Sequence, residues 1–235
     1  METIQVISLM LGTAWASGIN LYAAILVLGW MGGAGHVDLP PGLEILSDPA
    51  VMLAAGCMYM VEFFTDKIPG VDTAWDALHT FIRIPAGALM AASAAQGLDM
   101  GQAGELIGLI LGGGISAASH ATKAGTRVLI NTSPEPVSNW GASIAEDASV
   151  FAGLWAALNH PWLFVALLIV FLLVSAWLLP RIWRAIKRAL HALRRWLGSD
   201  AQEPHIGEGF EARRKDLLKE LYPGQSAPSL EKPPR

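Results

Sequence analysis

Through its first 180 residues the chain alternates long apolar runs with short interruptions rich in glycine, proline or charge. Residues 4–28 form the first run, broken only by Ser17, Asn20 and small side chains. The stretch 30–49 carries turn chemistry throughout, from Met31-Gly32-Gly33 to Pro40-Pro41-Gly42. Further apolar runs cover 50–64, 81–95, 103–121, 139–158 and 161–179. The last of these has nineteen uncharged residues, close to the length needed to cross a ~30 Å hydrocarbon core. The pattern predicts an all-α, polytopic membrane helix bundle of about six transmembrane helices over residues 1–180.

Beyond 180 the pattern changes. Arg181, Arg184, Lys187, Arg188, Arg194 and Arg195 alternate with Trp183, Ile186, Leu190, Leu193 and Trp196 at helical spacing. That composition predicts a basic amphipathic helix over 181–197, lying against anionic headgroups of the lipid bilayer. Its tether to an apolar span accounts for the cations, so nucleic acid is not expected as a partner. Residues 198–235 are polar and end in proline, which predicts a mostly disordered cytoplasmic tail with a short helix around 210–221.

Composition supports a membrane bundle. Of 235 residues 53% are apolar and 15% charged, and the mean hydropathy is +0.42, whereas soluble domains carry about a quarter charged residues. The single cysteine, Cys57, excludes an internal disulfide framework and is expected to be a small buried hydrophobe. Charge is unevenly placed. Residues 1–179 contain four Lys/Arg against thirteen Asp/Glu, and residues 180–235 contain twelve against seven. The basic residues fall after the second and fourth expected spans and in the tail. Under the positive-inside tendency this predicts both termini in the cytoplasm, with the first run a span and not a cleaved leader.

The densest chemistry lies at 61–85, where Glu62, Asp66, Lys67, Asp72, Asp76, His79 and Arg83 separate two lipid-soluble stretches. Charge next to hydrocarbon costs several kcal/mol unless it is paired or faces water, so this box is expected to line a polar cavity. Glu62 and Asp66 are four apart, as are Asp72 and Asp76, and helical backbone would put each pair on one face. The carboxylates are candidates for holding a cation or relaying protons; the competing reading is structural pairing with Lys67 and Arg83. Lys123 and Arg127, followed by a proline bracket containing Glu135 and Asn139, are candidates for an anion, with headgroup anchoring as the alternative. Glu146 and Asp147 interrupt an apolar run, and one of them is expected to face the bundle interior. Ser17-Gly18-Ile19-Asn20 is read either as an unwound segment or as helix-to-helix hydrogen bonding. Gly108 and Gly112 form a GxxxG pair suited to a close helix crossing.

Two internal echoes suggest duplication. Trp75-Asp-Ala-Leu-His79 matches Trp155-Ala-Ala-Leu-Asn159, and Gly12…Ala16-Ser17 matches Gly114…Ala118-Ser119. Two three-helix units in tandem sit in opposite orientation, so the reading is a 3+3 inverted repeat, with repeats about 4–98 and 103–179. This places Asp66 opposite Glu146.

The phrases Val61-Glu-Phe-Phe-Thr-Asp-Lys-Ile-Pro-Gly-Val-Asp72, Trp75-Asp76…His79-Thr80…Arg83-Ile-Pro-Ala-Gly87, His120-Ala-Thr-Lys-Ala-Gly-Thr-Arg127 and Asn131-Thr-Ser-Pro-Glu-Pro-Val-Ser-Asn139 together resemble the domain-of-unknown-function 4126 family of bacterial integral membrane proteins. The resemblance implies a multi-pass helical protein of the inner membrane and supplies no activity. No phosphate loop, dinucleotide fingerprint, zinc-protease motif or nucleophile elbow occurs, and no cofactor is expected. The leading expectation is a transporter or channel for an ion or small charged solute, with a homo-oligomer allowed. The alternatives are a membrane-anchored scaffold with an interaction tail, or a metal-dependent enzyme acting on lipid phosphates.

Overall fold

The computed structural model describes residues 2–68, 70–131 and 136–198, together with 213, 216, 217 and 220; for 136, 189 and 192–198 only the backbone is described. The described residues are all-helical, with no strand among them. Six α-helices follow in order: α1 Thr3–Gly33, α2 Pro49–Thr65, α3 Val71–Ala94, α4 Gly101–Ile130, α5 Pro136–Asn159 and α6 Pro161–Gly198. A 3-10 turn, Pro41–Ser47, precedes α2 and meets it at 67°.

Local chemistry explains the boundaries. Asp48 starts α2 by accepting from the Ala50 and Val51 amides at 2.8 and 3.3 Å, with Pro49 at the first helical position. Between α2 and α3 the backbone turns at Gly70, whose φ of +85° lies in the region that favours glycine. The expected runs 81–95 and 103–121 prove shorter than the helices that contain them. α3 begins at Val71, so Asp72, Asp76, His79 and Arg83 all lie on one helix, and α4 runs on to Ile130, so Lys123 and Arg127 are helical as well. The helical backbone of α6 likewise passes Pro180, where a separate helix was expected to start.

The chain divides into two compact units, 1–186 and 187–235. In the first, α1 is central and packs against α3, α4 and α5. Trp15 of α1 makes edge-to-face contacts with Phe164 and Phe171 of α6, at centroid distances of 5.9 and 6.1 Å. Small residues set the other crossings. A Cβ on Gly108 would fall 2.7 Å from the Ala91 carbonyl oxygen, and one on Gly112 would fall 2.9 Å from that of Gly87, so the GxxxG pair does bring α4 close, onto α3. Gly18 of α1 meets Ser116, Ser119 and His120 of α4 as closely. In the second unit 187–198 are helical, as are Arg213, Asp216, Leu217 and Glu220; the remainder of the expected tail lies outside the described residues.

The distribution of polarity in the first unit is the reverse of a soluble protein's. Arg83 and Arg127 are 0% exposed, whereas Phe81 is 83%, Leu78 67% and Ile110 66% exposed. Water would favour the opposite arrangement; hydrocarbon favours this one. By length and composition α1 and residues 161–188 can each cross a membrane, and the bent pair Pro41–Ser47 plus α2 counts as a third if it forms one broken span and not a re-entrant loop. The buried ionic groups of α3, α4 and α5 lower the hydropathy of those helices. Cys57, expected to be buried, is exposed on α2 beside Leu53 and Met60.

Candidate functional site

Four buried side chains of α3 recur at spacings of four, three and four: Asp72, Asp76, His79 and Arg83. Ser116, His120, Lys123 and Arg127 repeat the same spacing on α4. Each set therefore forms one stripe, and the two stripes face one another across the α3–α4 contact. Glu62 near the end of α2, Asp66 just beyond it and Glu146 of α5 complete the assembly.

These groups form one continuous ionic network. Arg83 donates to Glu62 Oε1 at 2.6 Å and to Asp76 Oδ1 at 2.8 Å. Lys123 Nζ is at the centre, 2.9 Å from Asp66, 3.3 Å from Glu62, 3.4 Å from Glu146 and 3.7 Å from Asp76. Arg127 holds Glu146 with two bonds of 2.6 and 3.0 Å, donates to Asp66 Oδ2 at 3.4 Å, and reaches Asn139 Oδ1 at 2.7 Å. Asp72 lies 3.9 Å from Arg127 and accepts from Asn131 Nδ2 at 2.8 Å. The bidentate Arg127–Glu146 fork fixes orientation as well as charge.

Beside the network, α1 loses helical geometry. Asn20 has φ −147° and ψ 98° in the middle of a 31-residue helix. Its Oδ1 caps the second half by accepting from the Ala23 amide at 2.9 Å, and its Nδ2 donates to Asp147 Oδ1 at 2.9 Å. The break frees the Ile19 carbonyl, which accepts from Lys123 Nζ at 3.1 Å. The alternatives weighed for 17–20 thus both hold: Asn20 is unwound, while Ser17 is a helix-to-helix donor to the Arg83 carbonyl at 2.9 Å.

The structure brings together ten of the sequence-selected residues: Glu62, Asp66, Asp72, Asp76, Arg83, Lys123, Arg127, Asn139 and Glu146 in the network, with Asp147 at the helix break. Both members of the Glu146-Asp147 pair turn inward. His79 lies one step out, stacked on Trp75 and 3.1 Å from the Tyr22 hydroxyl. Lys67 does not join. Its ammonium lies over the Phe63 ring and donates to the Phe63 carbonyl at 2.9 Å. Glu135 lies outside the described residues. Sequence reading passed over His120, 2.8 Å from Thr80 Oγ1 and 3.4 Å from Arg83, and Tyr59, which donates to Asp147. The shared stripe spacing on α3 and α4 was the signal for His120. Arg83, Lys123 and Arg127, whose placement supported the expected topology, are internal partners of the network, and Lys67 lies outside it.

Among the described residues no group of three or more His, Cys, Asp or Glu has the arrangement that holds a metal ion. A groove of about 360 Å³ bordered by Trp15, Thr122, Thr126, Ser149 and Phe171 reaches the network at Lys123 and Glu146.

The fold and this site define a class: a helical bundle with spans long and apolar enough for a membrane, enclosing a buried ionic network beside a broken helix. The chain belongs to the family described as a domain of unknown function (DUF4126), whose model matches residues 7–181. Comparison with curated proteins and with solved structures gives no match.

Proposed function

We propose that this is a six-helix, 3+3 inverted-repeat protein of the bacterial inner membrane, both termini cytoplasmic, that moves an ion or small charged solute through the buried network. The observation that carries the reading is the break in α1 at Asn20, which presents the Ile19 carbonyl to Lys123 inside the network. Discontinuous helices with freed backbone at an ionic centre mark the coupling sites of secondary transporters. Ionisable groups kept inside a membrane bundle are expensive and default to function. The groove between Trp15 and Phe171 supports access to Glu146 and Lys123 from outside the centre.

The lipid-phosphate reading is weaker, because Arg83, Lys123 and Arg127 already have carboxylate partners that a phosphate would have to displace. The test is flux in proteoliposomes, driven by a proton or ion gradient, comparing the natural chain with an Asp66→Asn, Glu146→Gln double variant. Loss of flux in the double variant supports transport; equal flux in both overturns it.

A further inference from the structure

Among the described residues the network is short of positive charge. Five carboxylates (Glu62, Asp66, Asp72, Asp76, Glu146) face three cations (Arg83, Lys123, Arg127), which leaves an excess of two negative charges with the histidines neutral. Adding the flanking Asp147 and Lys67 gives six against four, the same excess. Two uncompensated charges in a low-dielectric interior are costly. The oxygens show where compensation fits. Glu62, Asp66 and Asp76 each direct one carboxylate oxygen to Arg or Lys. The other oxygens, Glu62 Oε2, Asp66 Oδ1 and Asp76 Oδ2, are buried with no hydrogen-bond donor among the described residues, and Asp72 Oδ2 is the same apart from Arg127 at 3.9 Å.

We propose that the network carries two exchangeable protons shared among Glu62, Asp66, Asp72 and Asp76, so that the coupling ion is H⁺. This rests on the transport reading above but is tested separately from it. A proton needs one free oxygen, which each of these groups has, whereas a metal ion needs several converging oxygens, and no such group is present among the described residues. On loading, an O–H bond of hydronium on one side breaks as a carboxyl O–H bond forms on a bare oxygen, leaving water; on release that carboxyl O–H bond breaks and water on the other side accepts the proton as hydronium. Other ionisable groups facing these carboxylates are Tyr22 of α1, Tyr59 of α2, His79 of α3, His120 of α4, and Glu146 and Asp147 of α5. Since the sites interact, the protons belong to the cluster and not to one residue.

That sharing gives the test its form. The full chain in lipid nanodiscs is followed by infrared difference spectroscopy at the carboxylic-acid C=O band, as pH rises from mildly acidic to alkaline. The natural chain is expected to show the band and lose it as pH rises. Glu62→Gln, Asp66→Asn or Asp76→Asn should each reduce it to about half, because any one removes one excess charge, and a pair of them should abolish it. A folded natural chain without the band at any pH, or a band controlled by Na⁺ and not pH, overturns the proposal. Flux lost as predicted but with no such band would leave transport standing and remove the proton; a band without flux would do the reverse.

Discussion

Lys123 Nζ on α4 lies 3.1 Å from the carbonyl oxygen of Ile19 on α1, at the one point inside α1 where helical geometry fails. A lysine that is buried on every side thus holds four charged partners and one stretch of loosened backbone together. Its position makes it the residue whose loss is expected to cost most.

Lys123→Met should leave Glu62, Asp66 and Ile19 without their shared donor, and removing one member of a buried ionic set costs about 3–5 kcal/mol. Thermal unfolding in detergent is expected to show a large fall in Tm. Lys123→Met combined with Asp66→Asn should recover part of the loss, because the charge left bare is then removed as well. A single variant as stable as the natural chain would mean that the network is not ionic.

Asn20 performs two tasks that substitution can separate. Asn20→Ser keeps an oxygen for the Ala23 amide and loses the donor to Asp147, while Asn20→Ala loses both. The cap alone is worth about 1 kcal/mol, so stability should fall in the order Asn, Ser, Ala. Chemical denaturation of the reconstituted chain reads this order directly; Ala equal to Asn would show that the break in α1 needs no cap.

Two glycines offer a contrast. A methyl group at Gly18 would collide with Ser119 Oγ and the Ser116 carbonyl, whereas one at Gly114 meets nothing within 4 Å. Gly18→Ala is expected to destabilise by about 1–3 kcal/mol through forced separation of α1 and α4. Gly114→Ala should be neutral or stabilising by up to about 1 kcal/mol, since it restores helix propensity without a clash. Parallel melts of the two variants check the difference.

Cys57 reports on the environment of α2. It is exposed among Leu53, Met60 and Phe64, on a surface that in a bilayer faces lipid. A lipid-soluble maleimide should label it in native membranes, whereas a charged, membrane-impermeant thiol reagent should not. Rapid reaction with the charged reagent would place that face of α2 in water.

The helices were legible because apolar runs of this length have few alternatives, and the carboxylates of 62–76 were legible because hydrocarbon makes charge conspicuous. What misled was the assumption that charge ends a span. Lys123 and Arg127 read as loop residues because a lone cation in hydrocarbon is costly, but the sequence of α4 does not show that Glu62, Asp66 and Glu146 stand opposite. The same assumption cut α3 short at Phe81, ten residues late. Partners separated by 61 residues, such as Lys123 and Glu62, are a property of the fold. The matching spacings 72, 76, 79, 83 and 116, 120, 123, 127 mark two like stripes, His120 included, in the sequence alone; that the stripes face one another comes from the fold. Lys67 shows the converse: spacing put it among the carboxylates, while the turn at Gly70 and the Phe63 ring take it elsewhere.

The carbonyl oxygen of Arg83 accepts from two hydroxyls at once, Ser17 of α1 at 2.9 Å and Ser116 of α4 at 3.0 Å. Three rods are thereby riveted at a single peptide unit, and none of them can slide along its axis without shearing both rivets. α5 lies along α1, with Gly153 against Trp15, and reaches the centre through Asn139, Glu146 and Asp147; α2 reaches it through Glu62 and is followed there by Asp66. Mechanically the first unit therefore has a fixed post of three helices, with α5 packed along α1 and α2 tied to the post by the charges of Glu62 and Asp66. If one part swings away as ions pass, it is α2, whose hold through Glu62 and Asp66 loosens when those carboxylates are neutralised.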